Sequence, residues 1–222
     1  MCVSAQMASV LSIQTLVKRS FWLSCESGWS GLSAVVGGDI SLDAFYGFAR
    51  RLVEGFEGEG LDYAFTGALA VSFYGVPRTT SDVDVMVAVA GEADVKVKVA
   101  AALRRVGLEV DERKIEDALA SGYNIATFKD KASPYTVDVI FSGEKFEKQA
   151  GTVAGLKTFF QSPEGLVLAK LRMIKATVPR ERAVKDEGDV KAVLAFADVD
   201  VEAVKRQARK DGTLTMLESL IE

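Results

Sequence analysis

The stretch Phe65-Thr-Gly-Ala-Leu-Ala-Val-Ser-Phe-Tyr-Gly-Val-Pro-Arg-Thr-Thr-Ser-Asp-Val-Asp-Val-Met-Val87 decides the fold of this chain. Its last six residues place two aspartates among valines, a composition that predicts a β-strand. Residues two apart on a strand point to the same face, so the carboxylates of Asp82 and Asp84 are expected side by side. Hard cations such as Mg²⁺ prefer oxygen ligands, and this pair therefore predicts a metal site.

A third carboxylate is predicted on a second strand. Asp138 stands in the apolar run Val137–Phe141, which otherwise has the composition of a buried central strand. A carboxylate that faces a core without a partner is costly, so we interpret the three inward acids as one metal site. Two alternatives stay open: Asp82 and Asp84 can belong to a turn or helix cap, and Asp138 can face water from an edge strand.

Gly67 begins the short helix that is predicted before the acids. A residue without a side chain lets the backbone approach a phosphate, and a helix N-terminus offers free N–H groups to an anion. We therefore expect the triphosphate of a nucleotide to lie against Gly67. The alternative is a plain turn between a strand and a helix.

The composition excludes several kinds of chemistry. The 222 residues include no histidine, which excludes His-based triads and His-ligated zinc. The formal net charge of −4 gives no general nucleic-acid footprint. Cys2 and Cys25 form no recognised zinc pattern, so we expect reduced thiols in a cytoplasmic protein. No span approaches the length of a membrane helix, and no membrane partner is expected.

The fold class predicted from these patterns is α+β: a small mixed sheet with flanking helices, followed by a helical C-terminal region. Residues 1–38 are predicted to be a poorly ordered extension, residues 39–150 the core domain, and residues 151–222 the helical region. The predicted strands are 61–66, 82–88, 123–128 and 135–141; the predicted helices are 41–57, 68–73, 92–106, 115–120, one beginning at Pro163, 181–197, 201–209 and 214–221.

These residues resemble a known superfamily. A Gly-x-x-Ala turn and helix, then Tyr-Gly-x-x-Arg-x-Thr, then Asp-x-Asp, then an isolated aspartate in an apolar strand is similar to the nucleotidyltransferases of DNA polymerase β type. One departure concerns phosphate contacts: Ala68 stands where the family usually carries glycine or serine, so a serine hydroxyl is absent. The matching positions are Gly67, Ala70, Tyr74, Gly75, Arg78, Thr80, Asp82, Asp84 and Asp138.

The downstream sequence narrows the resemblance. The segment from Ser162 to Leu171 contains Lys170, and the segment from Arg182 to Asp189 contains a Lys-Asp-x-x-Asp motif. Both are similar to motifs of the abortive-infection type IV toxin nucleotidyltransferases (AbiEii-like). The likeness spans about residues 60 to 195.

The resemblance implies metal-dependent transfer of a nucleoside monophosphate from a triphosphate such as ATP to a hydroxyl acceptor, either an RNA or tRNA end or a protein. Asp82 and Asp84 would hold Mg²⁺ or Mn²⁺, and Asp138 would join a second metal and activate the acceptor. Lys170 would reach the pyrophosphate, and Asp186 with Asp189 would orient Lys170 or Lys185 or meet the base. The positions that would contact the nucleotide are Gly67, Ala68, Arg78, Thr80, Lys185, Asp186 and Asp189.

Other interpretations remain open. Arg78 can be a phosphate clamp or an ion pair that braces its loop, and Lys170, Asp186 and Asp189 can form ordinary helix-face ion pairs. The acceptor can also be a small antibiotic. A toxin nucleotidyltransferase would have a cognate antitoxin as partner, or form a homo-oligomer. The alternative function is a non-catalytic nucleotide-binding or antitoxin-like partner protein of the same fold.

Overall fold

The computed structural model describes residues 42–78, 80–90 and 94–222. The predicted N-terminal extension, residues 1–38, lies outside them. The described residues form seven strands and eight α-helices. The strands are β1 (Tyr63–Phe65), β2 (Asp82–Ala88), β3 (Leu108–Glu109), β4 (Ile125–Asp130), β5 (Thr136–Ser142), β6 (Lys148–Val153) and β7 (Leu156–Gln161). The helices are α1 (Leu42–Gly58), α2 (Gly67–Phe73), α3 (Val95–Arg105), α4 (Glu112–Ala120), α5 (Pro163–Ala176), α6 (Val184–Phe196), α7 (Val201–Asp211) and α8 (Leu214–Ile221).

The strands form one mixed sheet in the order β3-β4-β5-β2-β1-β7-β6. Strand β2 runs parallel to β5, and β1 runs parallel to β7, whereas the other neighbours are antiparallel. The predicted α+β class with a mixed sheet is confirmed. The order places the two acid-bearing strands, β2 and β5, side by side in the interior of the sheet, so Asp138 does not lie on an edge strand.

Alternation along β2 and β5 determines which residues meet the core. Val83 and Val85 of β2 are completely buried, as are Val137 and Val139 of β5. With a period of two, the acids between them point to the opposite face, where they are half-buried. The expectation of acids facing the core was wrong, because the valines occupy the core-facing positions and leave the acids on the more open face.

The β6–β7 hairpin was not predicted. Strand β6 has the polar sequence Lys-Gln-Ala-Gly-Thr-Val and is largely exposed, since it forms an edge of the sheet. Strand β7 pairs antiparallel with β6 and parallel with β1. The sheet therefore continues to Gln161, across the predicted boundary at residue 150. The division into residues 39–150 and 151–222 stays a prediction.

The start of α5 and the packing of the C-terminal helices can be explained from their sequences. The hydroxyl of Ser162 accepts a hydrogen bond from the Gly165 N–H at 3.2 Å, and Pro163 occupies the first turn of α5 as predicted. Apolar residues of α5 to α8 pack into the core. These include Leu166, Val167, Leu171, Val190, Val193, Val204 and Leu217. Within the described residues, none of the helices has the length and apolar character needed to span a membrane.

Candidate active site

The three predicted acids converge on the open face of the sheet. Asp84 of β2 and Asp138 of β5 are direct partners in the parallel register, and Asp82 lies two residues before Asp84 on the same face. One carboxylate oxygen from each of the three residues lies within 4.8 Å of the others. A turn or helix cap is excluded for Asp82 and Asp84, because both are strand residues.

Two threonines orient the outer acids. The hydroxyl of Thr80 donates a hydrogen bond to Oδ1 of Asp82. The hydroxyl of Thr127 donates to Oδ1 of Asp138 over 2.6 Å. Thr80 was expected to contact the nucleotide, whereas Thr127 was not identified from the sequence. Only the register of β4 against β5, which places Thr127 opposite Asp138, reveals it.

The central acid, Asp84, lies in an electrostatically unfavourable environment. Burial, and after it the nearby carboxylates of Asp82 and Asp138, together raise the pKa of Asp84 to about 6. The positive charges of Lys170 and Arg78 act in the opposite direction. A cation bound among the three carboxylates would offset their mutual repulsion and favour the charged form of Asp84. The oxygen-only donor set fits Mg²⁺ or Mn²⁺.

Gly67 lies directly against Asp84, the central acid of the cluster. Its φ angle is +58°, and a Cβ at this position would collide with Oδ2 of Asp84. The backbone N–H of Thr66 donates to the Asp84 carbonyl at 3.0 Å, which fixes the approach of the two segments. Gly67 is therefore required here for the Asp84 carboxylate, whatever it does toward phosphate. The adjacent Ala68 is buried.

A buried ionic cluster lies beside the acids. Nζ of Lys170 on α5 is 2.7 Å from Oδ1 of Asp186 and 2.8 Å from Oδ2 of Asp189, both on α6. Arg78 also pairs with Oδ2 of Asp189. The side chains of Lys170 and Asp189 are 9% and 8% exposed, so these are not solvent-facing helix pairs. The cluster holds two positive and two negative charges, which balance.

The loop before β2 is braced by the same cluster. The N–H of Arg78 donates to Oγ of Ser72 at 3.2 Å, and the Ser72 hydroxyl donates to the Ala68 carbonyl. The side chain of Arg78 is engaged by Asp189, which corresponds to the bracing ion pair considered for it above. Lys185 is not brought into this arrangement: it is exposed on α6 and has no ion pair with any residue of the described segments.

Solved structures share this fold. No protein-family model matches the chain, and no curated protein matches it either. The solution structure of the antibiotic-resistance factor ANT(2'')-Ia matches with a TM-score of 0.56 at 12% identity, covering 81% of this chain and 99% of that one. Its crystal structure in complex with adenylyl-2''-tobramycin gives a TM-score of 0.54 at 12% identity, with the same coverage.

A third match is the crystal structure of an antigenic nucleotidyltransferase-like protein from Paracoccidioides brasiliensis. It has a TM-score of 0.51 and 14% identity, and the match covers 80% of this chain and 93% of that one. At these identities the likeness shows the fold alone. The chain therefore has a nucleotidyltransferase-like fold, in agreement with the broader part of the resemblance found in its sequence.

Proposed function

We propose that this protein is a metal-dependent nucleotidyltransferase that moves a nucleoside monophosphate from a triphosphate to a hydroxyl acceptor. The observation that carries the proposal is the convergence of Asp82, Asp84 and Asp138 to within 4.8 Å on adjacent parallel strands of a nucleotidyltransferase-like fold. Residues whose carboxylates repel one another are costly to keep in a fold unless a bound cation compensates them.

The chain's own residues have distinct parts in this reaction. Asp82 and Asp84 would hold the cation that meets the triphosphate, and Asp138 would face the acceptor hydroxyl. When bound, divalent cations supply charge neutralisation on the phosphates and lower the pKa of the attacking hydroxyl. Thr80 keeps Asp82 in place through its hydrogen bond. Little covalent work is left to the protein, so positioning is its main contribution.

The ionic cluster is suited to receiving phosphate. Lys170 and Arg78 both engage Asp189, and Lys170 also engages Asp186. A triphosphate presents anionic oxygens that compete with the carboxylates. The side chain of Lys170 or of Arg78 can therefore exchange a carboxylate partner for a phosphate without becoming unpaired. In this proposal Asp186 and Asp189 hold the side chains of Lys170 and Arg78 in place when no nucleotide is bound. Gly67 and Ala68 would contribute backbone contacts to phosphate, and Lys185 a surface contact.

The acceptor is proposed to be an RNA or tRNA end or a protein hydroxyl, with a cytoplasmic toxin–antitoxin pair of the AbiEii-like kind as the setting. A cognate antitoxin or a second copy of the chain would then be a partner. The crystal structure of ANT(2'')-Ia in complex with adenylyl-2''-tobramycin makes a small-molecule hydroxyl the second candidate acceptor.

The test incubates the protein with each of the four α-labelled nucleoside triphosphates, Mg²⁺ or Mn²⁺, and total RNA, cell lysate or tobramycin. Transfer of label to one acceptor class, abolished by EDTA and by the Asp82→Asn, Asp84→Asn double variant, is the expected result. A protein that binds triphosphate but labels none of these acceptors would support the non-catalytic alternative. A protein that binds neither metal nor triphosphate would overturn the proposal.

A further inference from the structure

We propose that Thr127 is a positioning residue of this site, which holds the Asp138 carboxylate in the orientation that completes the metal site. This inference rests on the proposed function. It assigns a role to strand β4, which carries none of the three acids of the site.

Thr127, Asp138 and Asp84 form one row across three strands. Asp138 is the register partner of Asp84 in the parallel β2–β5 pair and of Thr127 in the antiparallel β4–β5 pair. Side chains of direct partners share a face, so the carboxylate of Asp138 lies between another carboxylate and a hydroxyl. The hydroxyl of Thr127 donates to Oδ1 of Asp138 at 2.6 Å, a short distance typical of a hydrogen bond to a charged acceptor.

The hydrogen bond has a physical purpose in this row. Repulsion from the adjacent carboxylates would rotate the Asp138 side chain away from them when no cation is present. A donor on the far side fixes Oδ1 in place. Within the part of the chain that the structure describes, no donor contacts Oδ2 of Asp138, which leaves that oxygen free for a metal or an acceptor hydroxyl. Such outer contacts typically change metal affinity by 10- to 100-fold.

The backbone that carries Thr127 is well fixed, although its side chain is exposed. The neighbours Ala126 and Phe128 point into the core and are buried. Nζ of Lys114 donates to the Thr127 carbonyl at 3.1 Å. The side chain of Thr127 is exposed and does not pack in the core. What distinguishes it from an ordinary surface threonine is its hydrogen bond to Asp138.

The experiment compares three variants of the full chain. Thr127→Val keeps the shape and strand preference of the side chain but removes the donor, and Thr127→Ser keeps the donor. Thr152→Val is the matched control, because Thr152 lies on β6 at the far edge of the same sheet. Binding of Mn²⁺ is measured by calorimetry and unfolding by thermal melts in EDTA.

We expect Thr127→Val to weaken Mn²⁺ binding by roughly tenfold or more, while Thr127→Ser and Thr152→Val bind as the parent does. All three should melt close to the parent in EDTA. With an acceptor in hand, Thr127→Val should lower kcat and leave the KM for triphosphate nearly unchanged.

Different outcomes separate this inference from the proposed function. If the parent binds Mn²⁺ and transfers nucleotide, and Thr127→Val does both equally well, the role of Thr127 is wrong and the proposed function stands. An equal loss of Mn²⁺ affinity in Thr127→Val and Thr127→Ser would also overturn the role, because the serine keeps the donor. If the parent binds no Mn²⁺, both the proposed function and the inference fail.

Discussion

The carboxylate of Asp84 occupies the space that a side chain at residue 67 would need. A Cβ built on Gly67 would collide with Oδ2 of Asp84, and Gly67 has a φ of +58°. The glycine and the central acid of the site therefore depend on each other. A change at residue 67 should act on the proposed metal site through Asp84, before any contact with phosphate is considered.

Gly67→Ala is the first prediction. We expect it to destabilise the fold and to weaken Mn²⁺ binding, since the new methyl group displaces the Asp84 carboxylate. Gly60→Ala is the matched control: Gly60 has a φ of +62°, but a Cβ there meets nothing within 4 Å. The control should cost about 1 kcal/mol from backbone conformation alone, and Gly67→Ala should cost roughly 1–3 kcal/mol more from the collision.

Urea unfolding of both variants in an Asp84→Ala background completes the test. Removing the carboxylate relieves the collision, so the extra cost of Gly67→Ala should disappear in that background while the cost of Gly60→Ala is unchanged. An equal cost of Gly67→Ala in both backgrounds would contradict the relationship between the two residues.

The second prediction concerns pH and stability. Asp84 has a pKa of about 6 in the folded protein, above the ordinary value of 3.8. The folded state then binds more protons than the unfolded state between these values. The free energy of unfolding attributable to this group is highest below pH 4, falls as pH rises toward 6, and stays low above it.

Asp84→Asn removes the cost of keeping an ionised carboxylate at this position above pH 6. Metal-free Asp84→Asn protein should be more stable than the parent above pH 6, by up to about 3 kcal/mol at roughly 1.4 kcal/mol per pKa unit. The advantage should shrink as pH falls from 6 to 4. Urea unfolding in EDTA across this range measures it, and the difference between the two proteins cancels the titration of groups that do not interact with Asp84. A difference that does not change with pH would contradict the raised pKa.

The third prediction is that metal stabilises the parent. Binding to the folded state alone adds about 2.7 kcal/mol at a free metal concentration 100 times the dissociation constant. Thermal melts of the parent should shift upward with Mn²⁺ relative to EDTA. The Asp82→Asn, Asp84→Asn double variant should melt at the same temperature with and without Mn²⁺. An equal shift in the two proteins would mean that Mn²⁺ binds elsewhere.

Parts of this site could be predicted because they depend on local pattern. The alternation of aspartate and valine gave a strand from residue 82 to residue 88, which agrees with the bounds of β2. The apolar run around Asp138 predicted a buried central strand, and β5 lies in the interior of the sheet. In both cases the buried valines decide the strand, and the acids follow from the period of two.

Other parts depend on which segments meet, and single-segment patterns do not contain this information. The contact of Thr127 with Asp138 follows from the register of β4 against β5. Lys170 meets Asp186 and Asp189 because α5 packs against α6. Spacing along one helix suggested surface pairs, and only the family resemblance suggested that the two aspartates orient this lysine. Strand β6 was missed because an exposed edge strand needs no apolar alternation, and its polar sequence is typical of a loop as well.

The fourth prediction separates buried from exposed lysines of the downstream motifs. Lys170→Met should destabilise the protein by about 3–5 kcal/mol, because it leaves Asp186 without its buried partner and Asp189 with Arg78 alone. Lys185→Met is the control and should change stability by less than about 0.5 kcal/mol, since Lys185 is exposed. Chemical denaturation of the two variants decides the point. Equal costs would mean that Lys170 contributes no more to stability than an exposed lysine does.

The last prediction tests the chemistry at the acceptor side. If Asp138 activates the acceptor hydroxyl, Asp138→Asn should leave triphosphate binding nearly normal and reduce transfer by orders of magnitude, because the lost interaction is made mainly in the transition state. Asparagine keeps the size of the side chain and can still accept a hydrogen bond from Thr127, so the fold should be preserved. Binding of a labelled triphosphate and single-turnover transfer rates are measured on the same preparation. Asp138 lies close to the other two acids. If the parent is active and the Asp138→Asn variant keeps the full rate, the group that activates the acceptor lies elsewhere.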